Sequence, residues 1–401
     1  MFNQKRTLIE LFCLDGLFLE KVETSSDEVV LAVYSPRHSA TCPRCNRSTK
    51  RIVKRGVRNI THGFCDNRLV ILRVTLRSFC CSHCGSFRER IPGIDRRRTS
   101  ARFRALVIPK IRDRSFSAVA KDFGLSASSL IRSARELRQS ITIPWPTTAF
   151  NLGIDEHSFS GRDLMITLTD VSHHDLLDIL RNDRNMTLRE WLHNMPEQAR
   201  NLIQAVCIDM HSGYRSVVER ELPGIPIVID KFHVIQLLNW HLQQLRLLYT
   251  TQAFPLPRLL LEKNKEDLQA SERAWLQTIF RRYPAIAEFW RMKEIMRRIY
   301  RLQDAPQAAE QFDALLDGLR GDDRLRWQEL HRTLKRWRNY ILNYFTAGRI
   351  TNAYTEGVHT RIKLLKRISY GFRNKTNYIA KMTLAFLPLL TIVEMLKHHP
   401  V

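Results

Sequence analysis

The hydrophobic positions of this 401-residue chain change their spacing along the sequence, and these changes predict its elements. Near the start, apolar and polar residues alternate around Val29 to Val33, which is typical of a half-buried strand. A second alternation predicts another strand, in which the apolar set is Val70, Leu72, Val74 and Leu76. Residues 1–95 are therefore predicted to form a β-containing module.

Helical spacing replaces this alternation after residue 100. The apolar residues that recur at this spacing are Phe103, Leu106, Val107 and Ile111. Pro109 predicts a kink in that helix, because its ring cannot continue the regular hydrogen bonding.

A helix-turn-helix is predicted over residues 96–142. A short helix from Ser117 to Phe123 is followed by Gly124, which permits a sharp turn, and by Ser126, which is placed to cap a second helix that runs through Arg138. Ala120 is small at the position where two such helices would touch. The alternative is an ordinary helical hairpin with a basic, solvated face.

The middle of the chain predicts a mixed sheet. Two prolines within residues 141–146 resist both helix and strand, so a domain boundary is predicted near residue 145. Residues 148–232 then follow the order β-β-β-α-β-α-β, which is typical of a mixed α/β sheet. The predicted strands are Asn151 to Asp155, Leu164 to Thr169, Leu176 to Leu180, Ala205 to Asp209 and Ile225 to Asp230.

Residues 233–345 have amphipathic helical spacing, which predicts an all-α insertion. Its tryptophans are Trp240, Trp275, Trp290, Trp327 and Trp337. We expect them to pack the core, and stacking on an unpaired base is the alternative. Residues 346–401 are expected to complete the mixed α/β core. Within them the apolar stretch from Thr383 to Val393 predicts a buried helix, because it is too short and too interrupted to span a membrane.

The charge of the chain indicates a polyanionic partner. There are 64 Lys and Arg residues against 40 Asp and Glu, a formal net charge of +24. Residues 41–140 hold 24 of the basic and six of the acidic residues, an asymmetry that predicts a nucleic-acid-binding region. An apolar share of 44% excludes a disordered basic tail. Without a secretory signal pattern, we expect a cytoplasmic, nucleoid-associated protein whose thiols stay reduced.

Particular side chains are candidates for the DNA contacts. On the second helix of the predicted helix-turn-helix they are Ser128, Ser129, Arg132 and Arg135. Upstream, the residues expected to meet phosphates are Arg96, Arg97 and Arg98.

Four of the cysteines form two knuckles, Cys42-Pro-Arg-Cys45 and Cys81-Ser-His-Cys84. Zn²⁺ prefers four thiolates in a closed tetrahedral site, and the two-residue gap lets both sulfurs of a turn face one ion. One structural zinc ion is therefore predicted, whereas a disulfide pair or free thiols are disfavoured by a reducing compartment. Possible substitute ligands are His62, Cys65, Cys80 and His83. Two other cysteines, Cys13 and Cys207, are expected to be small buried side chains.

Three carboxylates are placed where a second metal centre can form. Asp155 and Asp209 lie on or at the end of predicted strands, and Glu356 begins a helix that is densely basic afterwards. Such a set can hold two Mg²⁺ or Mn²⁺ ions for an in-line displacement at phosphorus. Singly, an Asp at a strand end is more often a turn former or helix cap, so the prediction depends on the combination. The basic residues expected to neutralise DNA beside this centre are Arg361, Lys363, Lys366 and Arg367.

Taken in order, these features resemble the DDE-type bacterial insertion-sequence transposases, in particular the ISL-three group. The resemblance covers nearly the whole chain and includes both knuckles and the helix-turn-helix. Its other motifs are Gly153-Ile-Asp155-Glu, Val206-Cys-Ile-Asp209-Met, Ile229-Asp230-Lys-Phe-His233-Val, Thr355-Glu356-Gly, Ile362-Lys363 and Tyr370-Gly-Phe-Arg-Asn374. It implies an RNase H-like mixed α/β core with an all-α insertion, in a multidomain α/β protein.

The resemblance also assigns residues. By position, Asp155, Asp209 and Glu356 correspond to the catalytic triad. Asp230 and His233 resemble an accessory D-x-x-H signature, and the alternative for the histidine is a helix-start or core residue. His359 departs from the asparagine expected there, and we expect it to alter a DNA contact more than metal binding. Glu156 follows the first aspartate, but strand alternation sends it to the opposite face.

The implied function is a DNA transposase that recognises terminal inverted repeats, cleaves DNA and transfers strands into target DNA. It is expected to act as a homodimer or larger assembly, because two DNA ends must be held together. The chain has no GxxxxGK[ST] loop, which is consistent with a reaction that needs no energy cofactor. A catalytically silent DNA-binding regulator and a metal-dependent DNA nuclease are the alternatives, and the presence of all three acids argues against the regulator.

Overall fold

The computed structural model describes residues 2–141, 143, 145–319 and 325–398. The chain divides into two compact units, of which the first is Met1–Thr142 with Leu364–Val401 and the second is Ile143–Lys363. Thr142 and Pro144 of the predicted linker lie outside the described residues. In those described ranges, no helix is both long enough and apolar enough to cross a membrane.

The first part of the first unit is dominated by strands. Its elements are α1 Phe2–Leu11, β1 Phe18–Thr24, β2 Glu28–Tyr34, β3 Ala40–Thr41, β4 Ser48–Thr49, β5 Ile52–Cys65, β6 Arg68–Cys81 and β7 Gly85–Arg88. One sheet has the order β1-β2-β6-β5, with β7 paired to β6. The two predicted alternations belong to β2 and β6, which pair in parallel and bury their apolar sides in one core. The sequence analysis did not predict α1 or the long partner strand β5.

Helices follow in the same unit, and they begin and end close to the predicted positions. They are α2 Ala101–Val107, a 3-10 helix Ile108–Ile111, α3 Phe116–Asp122 and α4 Ala127–Ser140. Pro109 lies at the start of the 3-10 helix, where the predicted kink occurs. Gly124 has a φ of +62° between α3 and α4, and the Ser126 side chain caps α4 by accepting a hydrogen bond from the Ser129 N–H.

The second unit contains a five-stranded mixed sheet. Its first elements are β8 Phe150–Ser160, β9 Asp163–Asp170, β10 Asp175–Ile179, α5 Asn185–His193, α6 Glu197–Arg200, β11 Ile203–Ile208, α7 Ser212–Glu221 and β12 Ile227–Ile229. The strand order is β10-β9-β8-β11-β12, in which β8, β9 and β10 are antiparallel and β11 is parallel to both β8 and β12. The predicted element order is confirmed, although the single helix expected between β10 and β11 is divided before Pro196, the N-cap of α6.

The elements that follow β12 in the described residues are all helical, as predicted for the insertion. They are α8 Lys231–Tyr249, α9 Arg258–Glu262, a 3-10 helix Lys265–Asp267, α10 Ala270–Arg282, α11 Pro284–Ile299, α12 Ala305–Leu319, α13 Leu325–Thr346 and α14 Ala353–Ile368. Three of the tryptophans are buried as expected, but Trp240 and Trp275 are 50% and 44% exposed. The core prediction is therefore wrong for these two, which lie on outward-facing positions of amphipathic helices.

The chain ends with two helices that belong to the first unit, α15 Lys375–Phe386 and α16 Leu389–His398. Their apolar side chains share one core with those of α2, α3 and α4. Lys381 is fully buried and donates hydrogen bonds to the carbonyl oxygens of Arg112 and Arg114. The sequence analysis expected one helix here and grouped residues 346–401 with the catalytic core. Instead α15 ends before Pro388, and Leu364–Val401 falls within the first unit.

Candidate functional site

Strand register brings three aspartates to one edge of the second sheet. Strand β11 pairs in parallel with β8 on one side and with β12 on the other. Continuing these pairs puts Asp209 beside Asp155 of β8 and beside Asp230, which follows β12. Side chains at matched positions of neighbouring strands point to the same face. Three acids that are far apart in sequence are thus neighbours because of the sheet topology.

The ligand atoms at this edge form two overlapping groups. Those of Asp155, Asp209 and His233 lie within 4.8 Å of one another, and so do those of Asp230, His233 and Glu356. His233 lies in the first turn of α8 and belongs to both groups. The predicted triad is therefore divided between two sets that the histidine joins, and both residues of the accessory signature are part of the cluster.

Burial and neighbouring negative charge disfavour ionisation of Asp155, Asp230 and Glu356. Burial, and then the carboxylate of Asp209, raise the pKa of Asp155 to about 7. Burial also raises the pKa of Asp230 and of Glu356. For His233, burial lowers the pKa, but the Asp209 carboxylate outweighs this effect and the net shift is upward. A bound cation would relieve the repulsion between these carboxylates.

The donor set matches a divalent cation that prefers oxygen. Carboxylate oxygens suit Mg²⁺ and Mn²⁺, and an imidazole is a common ligand of transition metals. Asp209 Oδ1 is buried and lies 2.8 Å from His233 Nε2, which forms an ion pair with it when the imidazole is protonated. With the imidazole neutral, a cation bound between the carboxylates would supply the positive charge that this buried oxygen needs. These residues could therefore hold such an ion.

Glu356 lies in the first turn of α14, and two polar contacts hold this turn against the sheet. Thr355 Oγ1 lies 2.7 Å from Thr169 Oγ1, and Asn352 Nδ2 donates to a backbone carbonyl of β8 at 3.2 Å. Gly153 permits this approach, since a Cβ there would lie 2.5 Å from the Thr169 hydroxyl oxygen and 2.9 Å from Asn352 Oδ1. The sequence analysis missed these supporting residues, although a glycine inside a buried strand signals such close packing.

Behind Asp155 lies a row of buried polar side chains. His359 Nε2 is 2.9 Å from Thr167 Oγ1, which is 2.7 Å from His157 Nδ1. His359 Nδ1 lies 3.5 Å from Asp155 Oδ2. Burial lowers the pKa of His359 to about 4, so this imidazole is neutral at pH 7. The expectation that His359 alters a DNA contact is wrong, because its side chain is only 7% exposed and faces the first aspartate.

A cavity of about 400 Å³ opens beside Asp155 and Asp209. Glu156 also lines it, accepts a hydrogen bond from the Tyr214 hydroxyl, and belongs to neither ligand group. The half-exposed Trp240 lines the same cavity. No pattern in the sequence distinguishes Trp240 from the other four tryptophans or marks Tyr214 as the partner of Glu156.

The four knuckle cysteines come together in the first unit. All four Sγ atoms lie within 4.8 Å of one another, and those of Cys45 and Cys81 are 3.6 Å apart. Zn–S bonds of about 2.3 Å in a tetrahedron imply sulfurs about 3.8 Å apart. The backbone N–H of Arg44 lowers the pKa of the Cys42 thiol to about 7, which favours the thiolate that a metal binds. This cluster could therefore hold one metal ion.

None of the four possible substitute ligands belongs to a ligand group among the described residues. The reason is clearest for His62, which is buried with Nδ1 2.9 Å from Ser100 Oγ and Nε2 2.7 Å from the Phe12 carbonyl oxygen. Of the other cysteines, Cys207 is buried as predicted, but Cys13 is exposed, which corrects that prediction. Cys13 lies in the turn after α1 with a φ of 49°, outside any apolar core.

The candidate DNA-contacting side chains differ in exposure. The exposed ones are Arg96, Arg98, Ser128, Arg132, Arg135, Lys363 and Arg367. The half-buried ones are Arg97, Ser129, Arg361 and Lys366. Arg97 differs from its two neighbours because its guanidinium pairs with Glu136. That side chain is therefore engaged within the first unit.

A protein-family model for the ISL-three group of DDE-type proteins, described as a transposase, matches residues 152–382 of this chain. The chain belongs to the ISL-three transposase family. The resemblance stated from the sequence is thereby confirmed. The transposase for insertion sequence element IS1001 of Bordetella parapertussis is 23% identical over 394 residues, which cover 92% of this chain and 95% of that protein. The matched range includes Asp155, Asp209, Asp230 and Glu356, and it begins after both cysteine knuckles.

Proposed function

We propose that this ISL-three transposase binds double-stranded DNA at the terminal inverted repeats of its insertion sequence, cleaves it, and joins the ends to target DNA. The observation that carries the proposal is the convergence of Asp155, Asp209 and Glu356, with Asp230 and His233, at one edge of the sheet beside a cavity. The strand order of that sheet supports an RNase H-like core.

The proposed cofactors of the reaction are two Mg²⁺ or Mn²⁺ ions held by the triad. When bound, they supply Lewis acidity for the attacking and leaving oxygens of an in-line displacement at phosphorus. The protein residues fix the ligands. Strand β8 and the contact with His359 orient Asp155, the first turn of α8 brings His233 against Asp209, and the packing of α14 positions Glu356. The basic residues of α14 neutralise the DNA backbone beside the centre.

The first unit is proposed to recognise the DNA. Helix α4 presents Ser128, Arg132 and Arg135 as exposed side chains on the second helix of the helix-turn-helix. One structural Zn²⁺ ion in the four-cysteine cluster would stabilise the β-strands that precede α2. Because both ends of an element must be held during joining, we propose that the active form is a homodimer or larger assembly.

The test uses a labelled inverted-repeat duplex and a target plasmid, incubated with the protein in Mg²⁺ or in EDTA. We expect joined products in Mg²⁺ only. Cut ends without joined products would indicate a nuclease, and a shifted but intact duplex would indicate a DNA-binding regulator. Either of these results would overturn the proposed function.

A further inference from the structure

A strongly basic groove lies in the first unit, separate from helix α4. It has a volume of about 1130 Å³ and is lined by β7 after the second knuckle, by part of the first knuckle and by the segment that leads into α2. Seven arginines line it, namely Arg37, Arg44, Arg58, Arg88, Arg90, Arg96 and Arg104. The two carboxylates in the lining are those of Glu89 and Asp95.

Both carboxylates are already neutralised by arginines of the protein. Glu89 forms a nearly buried pair with Arg77 at 2.7 Å, and Asp95 pairs with Arg104 at 2.8 Å. The groove therefore keeps a large positive surplus. The positive charges of the arginines repel one another across this concave surface, and a bound polyanion would relieve that repulsion.

Two of the arginines use their guanidinium groups to build the walls. Arg44 donates to the carbonyl oxygen of Cys84 at 2.9 Å and so ties the two knuckles together. Arg58 donates to the carbonyl oxygens of Asp95, Arg96 and Arg97, which fixes the segment before α2. Because these partners are neutral carbonyls, the charges of both arginines still contribute to the field in the groove.

Of the five remaining lining arginines, Arg104 is buried and paired with Asp95, and four are exposed, namely Arg37, Arg88, Arg90 and Arg96. Their side chains make no ion pair or hydrogen bond with any residue in the described ranges. Arg88 and Arg90 flank Glu89, whose pairing with Arg77 anchors this short segment to β6. The groove thus combines a fixed frame with unpaired guanidinium groups, the arrangement that binds phosphates through several charge-assisted hydrogen bonds.

We propose that this groove binds the sugar-phosphate backbone of the DNA duplex held by the first unit. The proposal rests on the proposed function, because it names a second contact surface for the same DNA. The lining contains no Asn or Gln, the side chains that read adenine, whereas its arginines can bind either phosphate oxygens or the edge of guanine. The proposal assigns these arginines to phosphates, so the contact would be independent of base sequence and would work beside the predicted helix-turn-helix. Because Arg44 ties the two knuckles together, the shape of the groove, and with it this DNA contact, depends on the cysteine cluster.

The experiment measures binding of the full chain, loaded with zinc and without Mg²⁺, to a fluorescent inverted-repeat duplex and to a scrambled duplex over a series of salt concentrations. The variant carries Arg88→Ala and Arg90→Ala. The matched control carries Arg281→Ala and Arg291→Ala, two exposed arginines on α10 and α11 of the second unit, and so has the same net charge. A third protein, with Arg88→Lys and Arg90→Lys, keeps the charges.

Each phosphate contact contributes about 0.9 to the slope of log affinity against log salt concentration. The Ala variant should therefore lose roughly 1.8 from the slope on both duplexes, and bind at least about tenfold more weakly near 0.1 M salt. The control should match the wild type, and the Lys variant should keep most of the slope. Zinc content and circular dichroism check that each protein is folded.

An Ala variant with the slope and affinity of the control would overturn the proposal. A loss confined to the inverted-repeat duplex would also overturn it, because the groove would then read bases. Joining by the wild type is measured separately in Mg²⁺, so an inactive protein that still shows the slope change would contradict the proposed function and leave the groove proposal standing.

Discussion

The cysteine cluster and the acidic cluster are both candidate sets of metal ligands, but their surroundings differ. In the cysteine cluster, backbone N–H groups of Arg44 and His83 lower the pKa of Cys42 and of Cys81, while the neighbouring Cys45 and burial raise the pKa of Cys84 to about 12. In the acidic cluster, burial raises the pKa of Asp155, Asp230 and Glu356, and a cavity opens beside Asp155. Four thiols held by two tight turns would suit an ion retained as part of the fold, whereas carboxylates beside an open cavity would suit an ion that also meets a substrate.

The largest effect is expected for Asp155→Asn. Joining should fall at least about a thousandfold, about 4 kcal/mol of transition-state stabilisation, because a ligand of the reactive centre is lost. The unfolding midpoint in EDTA should stay the same or rise, since the substitution removes a carboxylate that burial and Asp209 disfavour. Product assays and thermal unfolding measure both. Asp175→Asn, an exposed aspartate on β10, is the control and should change neither. A clearly lower midpoint for the first variant would mean that Asp155 is structural and would break the comparison.

Cys42→Ser is expected to lower stability, whereas Asp155→Asn is expected to preserve it. Zinc affinity should weaken at least about a hundredfold, and the first unit should lose stability, because metal binding and folding are coupled in such sites. Metal analysis and denaturant unfolding test this. Cys65→Ser removes a cysteine that belongs to no ligand group and should keep the zinc. Full zinc content and normal unfolding in the Cys42 variant would show that the cluster is not a structural metal site.

Two glycines allow the same substitution to be compared at both centres. Gly153→Ala forces a Cβ against Thr169 and Asn352, so joining should fall about tenfold through displacement of α14, a cost of roughly 1–3 kcal/mol. Gly85 has a φ of +80° and free space around its Cβ position, so Gly85→Ala should cost about 1–2 kcal/mol of first-unit stability through backbone conformation alone.

Asparagine separates these two causes. It tolerates the left-handed conformation, so Gly85→Asn should recover part of the lost stability. Gly153→Asn should be worse than Gly153→Ala, because the clash grows with side-chain size. Unfolding and joining assays on the four variants distinguish backbone strain from steric exclusion. If asparagine restores stability at position 85 and joining at position 153 to the same extent, backbone strain and steric exclusion do not separate the two centres.

The smallest effect is expected for Trp240→Ala. If the exposed indole beside the catalytic cavity stacks on an unpaired base, joining should fall about fivefold or more, since stacking contributes about 1–3 kcal/mol per base. Trp275→Ala removes an equally exposed tryptophan outside that cavity and should leave joining unchanged. Joining yields with duplexes that have a frayed or a fully paired end measure the difference. If Trp240→Ala and Trp275→Ala join DNA equally well, Trp240 does not stack on a base during joining.

The sequence predicted local elements well because their signals are local. The alternation in β2 and β6, the cap at Ser126 and the turn at Gly124 each depend on a few adjacent residues. The members of the two candidate ligand clusters could also be predicted, since Cys and acidic residues at strand ends carry their chemistry in their identity. The family resemblance joined acids that no local pattern could have connected.

The features that could not be predicted from the sequence depend on contacts between distant segments. Asn352 and Thr169 matter only because α14 packs on the sheet at Gly153. The polar row behind Asp155 forms because β9 and α14 meet there, so His359 was assigned to DNA when only its sequence neighbours were known. Exposure of Cys13 and Trp240 could not be inferred from residue type, since both types are usually buried.

The core shared by α2, α3, α4 and the two last helices has a consequence for how the protein is made. The ribosome must translate residues 143–363 before α15 and α16 can pack on α2, α3 and α4. Until then the apolar side chains of α15 and α16 are missing from this core. A product truncated before residue 364 would keep the candidate DNA-contacting residues of α4 but lose part of the core on which α4 packs, so we expect it to be less stable than the full first unit.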